Sequence, residues 1–312
     1  MDNFFIHFVI CNITIGLFVL ILLCMKRIFK HCLTPRMQFN LWIPFTISLL
    51  VPFLPVSFST LSTKMQDLFH PLAHFSHTVH TTNTSEYTSS STNQIYDYAI
   101  SMRTQFPVYI STIFCVIWGI GMFVMLFSFV RSLVLLHHMR RTANLMQDKR
   151  IHAIYMTCLS ELQLRKSIPL YSSSIIDTPV STGILRPAIF LPLHCISNFE
   201  EQEIRYILLH ELMHCYYKDA IFNYCMNIIR ILYWFHPLIW LITKEFYTER
   251  ELACDTSVLR LLGANEQISY GVTLLHFVDK QTNTPLSLLN NLSENAKQMK
   301  RRILNIKQHQ PL

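Results

Sequence analysis

The sequence predicts an α-helical membrane protein whose carboxy-terminal half forms a cytoplasmic, membrane-associated domain. Three observations lead there. The 312 residues are 51% hydrophobic and only 14% charged, with a mean hydropathy of +0.30, which is high for a water-soluble domain. Three long apolar runs occupy the first 131 residues, each close to basic residues on one side. Beyond them the chain turns polar and carries helical patterns with paired histidines and paired carboxylates. The same composition excludes other classes. With six glycines, and Gly119 and Gly121 inside an apolar run, no phosphate-cradling loop can be built. The net charge of +7 sits beside apolar runs rather than in a basic patch, so direct nucleic-acid binding is not expected.

The first run, Phe4 to Met25, is long enough to cross about 30 Å of hydrocarbon. Asp2 precedes it and Lys26, Arg27 and Lys30 follow it, the reverse of a cleaved signal peptide, so it is expected to be retained. The second run, Phe39 to Phe58, contains Pro44, Pro52 and Pro55 and reads as a kinked span. Residues 1–58 thus form two spans with a short basic loop, and 59–106 an outside loop with a Ser/Thr/Asn-rich tract, Thr78 to Asn93, that cannot bury a core. His70, His74, His77 and His80 in that loop read as a solvated polar face, and the Asn83-Thr84-Ser85 glycosylation pattern carries little weight. Residues 107–131 are the third span. Lys and Arg crowd the loop after the first span and the segment after the third, while 57–106 holds only Lys64 and Arg103. The positive-inside rule therefore places the amino terminus outside and 132–312 in the cytoplasm. The nine cysteines avoid the outside loop, as expected for reduced thiols.

The chemistry sits in His210-Glu211-Leu212-Met213-His214. On a helix, imidazoles at i and i+4 project from one face and can bind a single zinc ion, and Glu211 can reach a water on that metal. Glu200, Glu201 and Glu203 supply an acidic first turn, with Asn198 as an expected cap. A catalytic zinc site needs a third protein ligand. Glu251-Leu-Ala-Cys-Asp255 offers two carboxylates at i and i+4, so Glu251 is the expected ligand and Asp255 the partner of a ligating histidine's distal nitrogen. Cys254 is the competing ligand and would make the site structural. Asp219 is a further candidate partner beside the metal, against a plain charged helix end, and His236 reads as a membrane-edge core histidine. Ile221 to Phe246 is long enough to span, but crossing would separate Glu251 from His210. It is therefore expected to be a helical hairpin or re-entrant element. In this scheme Glu211 takes a proton from a zinc-activated water and returns it to the leaving amine, hydrolysing a peptide bond.

These residues resemble the BlaR/MecR antirepressor family of bacterial membrane zinc metallopeptidases, which regulate β-lactam resistance. The resemblance covers nearly the whole chain. It rests on Ile207-Leu-Leu-His-Glu-Leu-Met-His214 with Lys218-Asp219, on Tyr233-Trp-Phe-His-Pro237, and on Arg250-Glu-Leu-Ala-Cys-Asp255. It implies an α-helical membrane protein with a cytoplasmic α+β gluzincin-like zinc metallopeptidase domain. His210, His214 and Glu251 would bind Zn2+ and Glu211 would act as base. Thr178-Pro179, Gly183, Pro187 and Ile189-Phe-Leu-Pro192 look like the family's strand pair, whose edge can receive substrate backbone; an ordinary hairpin is the plain alternative. Lys300-Arg301-Arg302-Ile303 matches the family's basic cleavage site, so Arg301-Arg302 is a candidate self-cleavage bond, against a plain basic tail.

The partners implied are membrane lipid, a cytoplasmic protein substrate such as a DNA-binding repressor, and a homodimer or separate sensor protein. The chain stops at Leu312 and has no outside Ser-x-x-Lys, so direct β-lactam sensing by these residues is not expected. Two other functions compete: a non-proteolytic transducer with a structural metal site, and a broad quality-control membrane protease.

Overall fold

The computed structural model describes residues 2–29, 33–50, 108–164, 167–282 and 292–308. The segment 59–106, expected to be an outside loop, lies outside them with its histidines and Asn83. The chain opens with helix α1, Asp2–Phe29, followed by α2, Pro35–Asn40, and α3, Trp42–Leu50. Pro35 and Pro44 both fall in first turns, where a missing N–H costs no helical bond. The described half of the second apolar run is thus two short helices rather than one span. They face protein: Phe39, Trp42, Phe45 and Leu49 are buried in a cluster with Met226, Ile229, Ile239, Ile242 and Phe246.

Helix α4, Val108–Thr142, is longer than the expected third span. No glycine or proline falls between Met122 and Thr142, so nothing stops it at Arg131. Its 35 residues reach about 52 Å, well beyond a hydrocarbon core of about 30 Å. Among the described residues, Thr112–Thr142 is long and apolar enough to cross a membrane by length and composition. Ile113, Ile117, Ile120, Phe123 and Phe127 are exposed along it, a surface that water would disfavour. The last turns leave this apolar stretch for the polar domain. Met139 packs on Ala188 and Phe190, and Arg140 donates to the Arg186 carbonyl at 2.5 Å.

The rest is a small sheet wrapped by helices. Its strands are β1, Asn144–Leu145, β2, Leu170–Ser173, β3, Val180–Thr182, and β4, Ala188–Pro192. They order as β1-β2-β4-β3, with β2 and β4 parallel and the other pairs antiparallel. Val180 pairs with Phe190 and Thr182 with Ala188, so β3 forms a hairpin with β4 and is an edge strand. Helix α5, Lys149–Glu161, precedes β2, and the short α6, Leu193–Asn198, follows β4. Then come α7, Glu201–Tyr216, α8, Asp219–Leu232, α9, Pro237–Leu262, α10, Gln267–Thr282, and α11, Leu292–Gln308. One core joins sheet and helices: Ile189 and Leu191 of β4, Leu208, Leu209 and Leu212 of α7, Val258 and Leu259 of α9, and Tyr270 of α10.

The ambiguous segment after Ile221 forms two helices, α8 and α9, reversing at residues 233–236. The reversal packs against the amino-terminal helices. Tyr233 Oη donates to the Leu49 carbonyl at 3.0 Å, Trp118 Nε1 to the Leu232 carbonyl at 3.2 Å, and Trp234 Nε1 to the Trp118 carbonyl at 3.3 Å. His236 faces Gly16 of α1. The second arm does not end near Phe246. Helix α9 runs on to Leu262 and carries Glu251 and Asp255 out of the apolar cluster into the domain.

Candidate metal centre

Helix α7 carries the His-Glu-x-x-His sequence. Its amino end is not capped by Asn198, which closes α6; an extended Phe199 intervenes, and Glu200 takes the cap position. Glu203 accepts from the Glu200 backbone N–H at 2.9 Å, securing the first turn. The helical repeat then sets His210 and His214 one turn apart, with their Nε2 atoms 3.2 Å from each other.

Helix α9 brings in the carboxylate. Glu251 Oε2 lies 3.3 Å from His210 Nε2 and Glu251 Oε1 lies 3.8 Å from His214 Nε2. Donors at tetrahedral corners about 2.0 Å from a zinc ion stand about 3.3 Å apart, so these three residues fit that ion. Their outward nitrogens are also held. His214 Nδ1 is 2.7 Å from Asp219 Oδ2. His210 Nδ1 is 3.0 Å from the Tyr270 hydroxyl and 3.4 Å from Asp255 Oδ1, and that hydroxyl donates to Asp255 at 2.7 Å. Asp255 therefore meets His210 mainly through Tyr270, a residue no sequence motif marked. With both distal nitrogens donating to acceptors, Nε2 of each ring is the atom that offers its lone pair to a metal once it has lost its proton.

Two arginines balance the buried carboxylates. Arg250 Nη2 donates to Glu251 Oε1 at 2.6 Å and Arg250 also reaches the Asn223 side chain. Arg302, from α11, donates to both Asp255 oxygens at 2.8 Å and approaches Glu251 at 3.6 Å. Burial pushes the Asp255 carboxyl up, but Arg302 and His210 together outweigh it and hold the group well below the carboxylate range. Glu251 is likewise held down against burial, chiefly by Arg250. Burial would lower the His214 imidazole, yet the facing Cys254, Asp219 and Glu251 raise it to about 10 in the metal-free chain.

Cys254 is the rival ligand, since His210, His214 and Cys254 place donor atoms within 4.8 Å of one another. Its Sγ approaches His210 at Nδ1, 3.5 Å away, on the edge already met by Tyr270, and it donates to the His210 carbonyl. Glu251 approaches the opposite edge. A cavity of about 610 Å³ opens on that side and is lined by His210, Glu211, His214 and Glu251, whereas Cys254 is fully buried away from it. A site with an open position toward a cavity suits catalysis better than a closed structural one.

The edge strand β3 forms another wall of the cavity. Pro179, Val180, Ser181, Thr182 and Gly183 line it, and Thr178 stands just outside the lining. Gly183 has φ +101°, and a Cβ there would fall 2.4 Å from the Arg186 carbonyl oxygen, so the turn after β3 needs glycine. His236 is remote from the cavity lining, at the α8–α9 reversal. The expected basic tail is instead the packed helix α11. Within it Arg301 pairs with Glu245 at 2.7 Å while Arg302 points inward, so the Arg301-Arg302 bond lies inside a helix.

A mostly helical scaffold that presents a His-Glu-x-x-His helix, a carboxylate helix and a strand edge to one cavity has the layout of a metallopeptidase. The chain belongs to the BlaR1 peptidase M56 family, whose model matches residues 6–306. It is 30% identical over 308 residues to the regulatory protein BlaR1 of Bacillus licheniformis, covering 98% of this chain and 51% of that protein. It is 26% identical over 253 residues to the methicillin resistance mecR1 protein of Staphylococcus aureus, covering 77% of this chain and 40% of that protein. Against the regulatory protein BlaR1 of Staphylococcus aureus the identity is 24% over 305 residues, or 93% of this chain and 48% of the relative. The chain thus spans about half the length, or less, of the curated relatives it matches.

Proposed function

We propose that this protein is a membrane-bound zinc endopeptidase of the β-lactam-resistance signalling type, hydrolysing peptide bonds in a cytoplasmic regulator such as a DNA-binding repressor. The observation that carries the reading is the meeting of Glu251 with His210 and His214, across 41 residues of sequence, at the wall of an open cavity. The names of the relatives, regulatory and resistance proteins, supply the biological setting. The placement of Lys and Arg supports a cytoplasmic domain.

His210, His214 and Glu251 would hold the ion, which when bound supplies Lewis acidity and an activated water. The chain's own residues do the rest. Substrate backbone adds to the β3 edge, in extended form, across the cavity. Glu211, on the cavity wall, accepts a proton from water and delivers it to the leaving amine. Tyr270, Asp255 and Asp219 keep the imidazoles turned with Nε2 toward the cavity. Because the cleft takes extended chain, self-cleavage between Arg301 and Arg302 requires α11 to unwind and leave its place.

The test is wild type against Glu211→Ala, expressed in membranes, with chain length followed and cytoplasmic proteins surveyed for fragments. One or a few proteins cleaved by wild type alone is the expected result, and cleavage persisting in the variant removes Glu211 from its role. Many cleaved proteins would favour quality control. The nearness of Cys254 to both imidazoles motivates the second reading, a structural site in a non-proteolytic transducer. A cobalt-substituted chain with a strong thiolate charge-transfer band would select that reading instead.

A further inference from the structure

We propose that Arg302 is a positioning residue of the metal centre, holding Asp255 and Glu251 in the arrangement in which His210 and Glu251 bind zinc. The inference rests on the zinc-peptidase reading above and deepens it.

The geometry is specific. Arg302 makes two parallel N–H···O contacts to Asp255, each 2.8 Å, the bidentate form that fixes a carboxylate's plane as well as its charge. Asp255 is wholly buried, and Tyr270 donates to the same carboxylate. Tyr270 in turn stands 3.0 Å from His210 Nδ1, so the chain of contacts runs from Arg302 through Asp255 and Tyr270 to a ligand imidazole. A second arm runs directly from Arg302 to Glu251 at 3.6 Å. One guanidinium thus touches one expected ligand, Glu251, and the support of a second, His210.

Helix α11 is held so that this contact is preset. Asn305 donates to Thr256 Oγ1 at 3.1 Å, on the same helix as Glu251, and Gln267 donates to the Ile306 carbonyl. The neighbouring Arg301 provides an internal contrast. Its side chain is 41% exposed and pairs with Glu245, whereas the Arg302 side chain is 12% exposed. Without Arg302, a buried Asp255 carboxylate loses its counter-ion and either takes up a proton or rotates. Either outcome weakens the hold on the Tyr270 hydroxyl and, through it, on the His210 ring. Cleavage of the bond before Arg302 would also split α11 and leave Arg302 on a piece no longer joined to the preceding chain.

The experiment uses the full chain in detergent micelles, loaded with zinc and, separately, with cobalt. Zinc affinity is read by competition with a chelator, ligand geometry by the cobalt visible spectrum, and folding of the metal-free chain by circular dichroism. Arg302→Gln is expected to weaken zinc binding by about 10- to 100-fold, the range for losing a group that supports a ligand. Arg302→Lys should recover only part of it, because an ammonium cannot bridge two oxygens in one plane. Arg301→Gln should bind like wild type. Asp255→Asn with Arg302→Gln should be no weaker than Asp255→Asn alone. A folded Arg302→Gln chain with wild-type affinity and spectrum overturns the proposal, as does additivity with Asp255→Asn. If Arg302→Gln does not fold, Arg302→Lys decides, and a wild-type spectrum and affinity in that variant overturn it. A wild-type chain that takes up no zinc overturns the zinc-peptidase reading itself, whereas equal zinc binding by wild type and every Arg302 variant sinks only the positioning role.

Discussion

Lys26 and Glu249 join the amino-terminal helix to α9, the helix that carries Glu251, and breaking that pair should be costly. Lys26 is on α1, and its ammonium contacts Glu249 with side-chain exposures of 7% and 6%. Trp42 Nε1 donates to the same carboxylate at 2.7 Å, and the ammonium lies 3.8 Å from the Trp42 ring centre. Lys26→Met keeps the bulk of the stem and removes the charge. The loss has two parts: a cation–π contact worth about 2 kcal/mol when desolvated, and the counter-ion of a buried carboxylate. Removing one partner of a buried pair costs about 3–5 kcal/mol in total. Burial already pushes the Glu249 carboxyl up, with Lys26 opposing, so protonation of Glu249 in the variant caps the loss near that range. For a chain of 312 residues the expected fall in Tm is roughly 5–8 °C. Thermal unfolding in micelles measures it, together with Glu249→Gln and the double variant. The double variant should stand closer to wild type than the sum of the singles, because no buried charge is left alone. A Lys26→Met chain within about 0.5 kcal/mol of wild type, or an additive double variant, would refute the reasoning.

Packing at Gly121 and the charge around His214 lead to two further outcomes. A Cβ at Gly121 would fall 2.1 Å from Trp234 Cε2, so Gly121→Ala should drive the α8–α9 reversal away from α4 and destabilise the chain by about 1–3 kcal/mol, read as a lowered Tm with Gly119→Ala, whose Cβ meets nothing, as the silent control. In the metal-free chain His214 is raised from 6.5 to about 10, so the stabilisation its charged form contributes is complete below 6.5 and lost as pH rises through about 10. Zinc must displace that proton, so zinc affinity should climb across the same window by about tenfold per pH unit for each proton released, and a flat chelator-competition profile would contradict it.

Much of the layout is legible in the sequence. Apolar runs with basic flanks mark the amino-terminal helices, and the i, i+4 spacings set His210 with His214, and Glu251 with Asp255, on single helix faces. Proline and apolar periodicity did not tell whether the second run faces lipid or protein. Phe39, Trp42 and Phe45 pack on α8 and α9, a choice made by partners 181 to 207 residues away in the chain. Helix α4 outran its apolar stretch because nothing local stops it. Asn198 was a plausible cap by residue type, but Phe199 had to turn inward first, and that put Glu200 in its place.

The sequence by itself determined the chemistry within reach of each helix, because a helical repeat is local and a few residues suffice to show it. Only the tertiary structure decided which helices meet: that Glu251 faces two imidazoles 41 and 37 residues earlier, that Tyr270 stands between Asp255 and His210, and that a basic stretch near the end turns Arg302 inward rather than outward to solvent. These contacts follow from close packing of side chains far apart in the chain, and packing of that kind has no period to read.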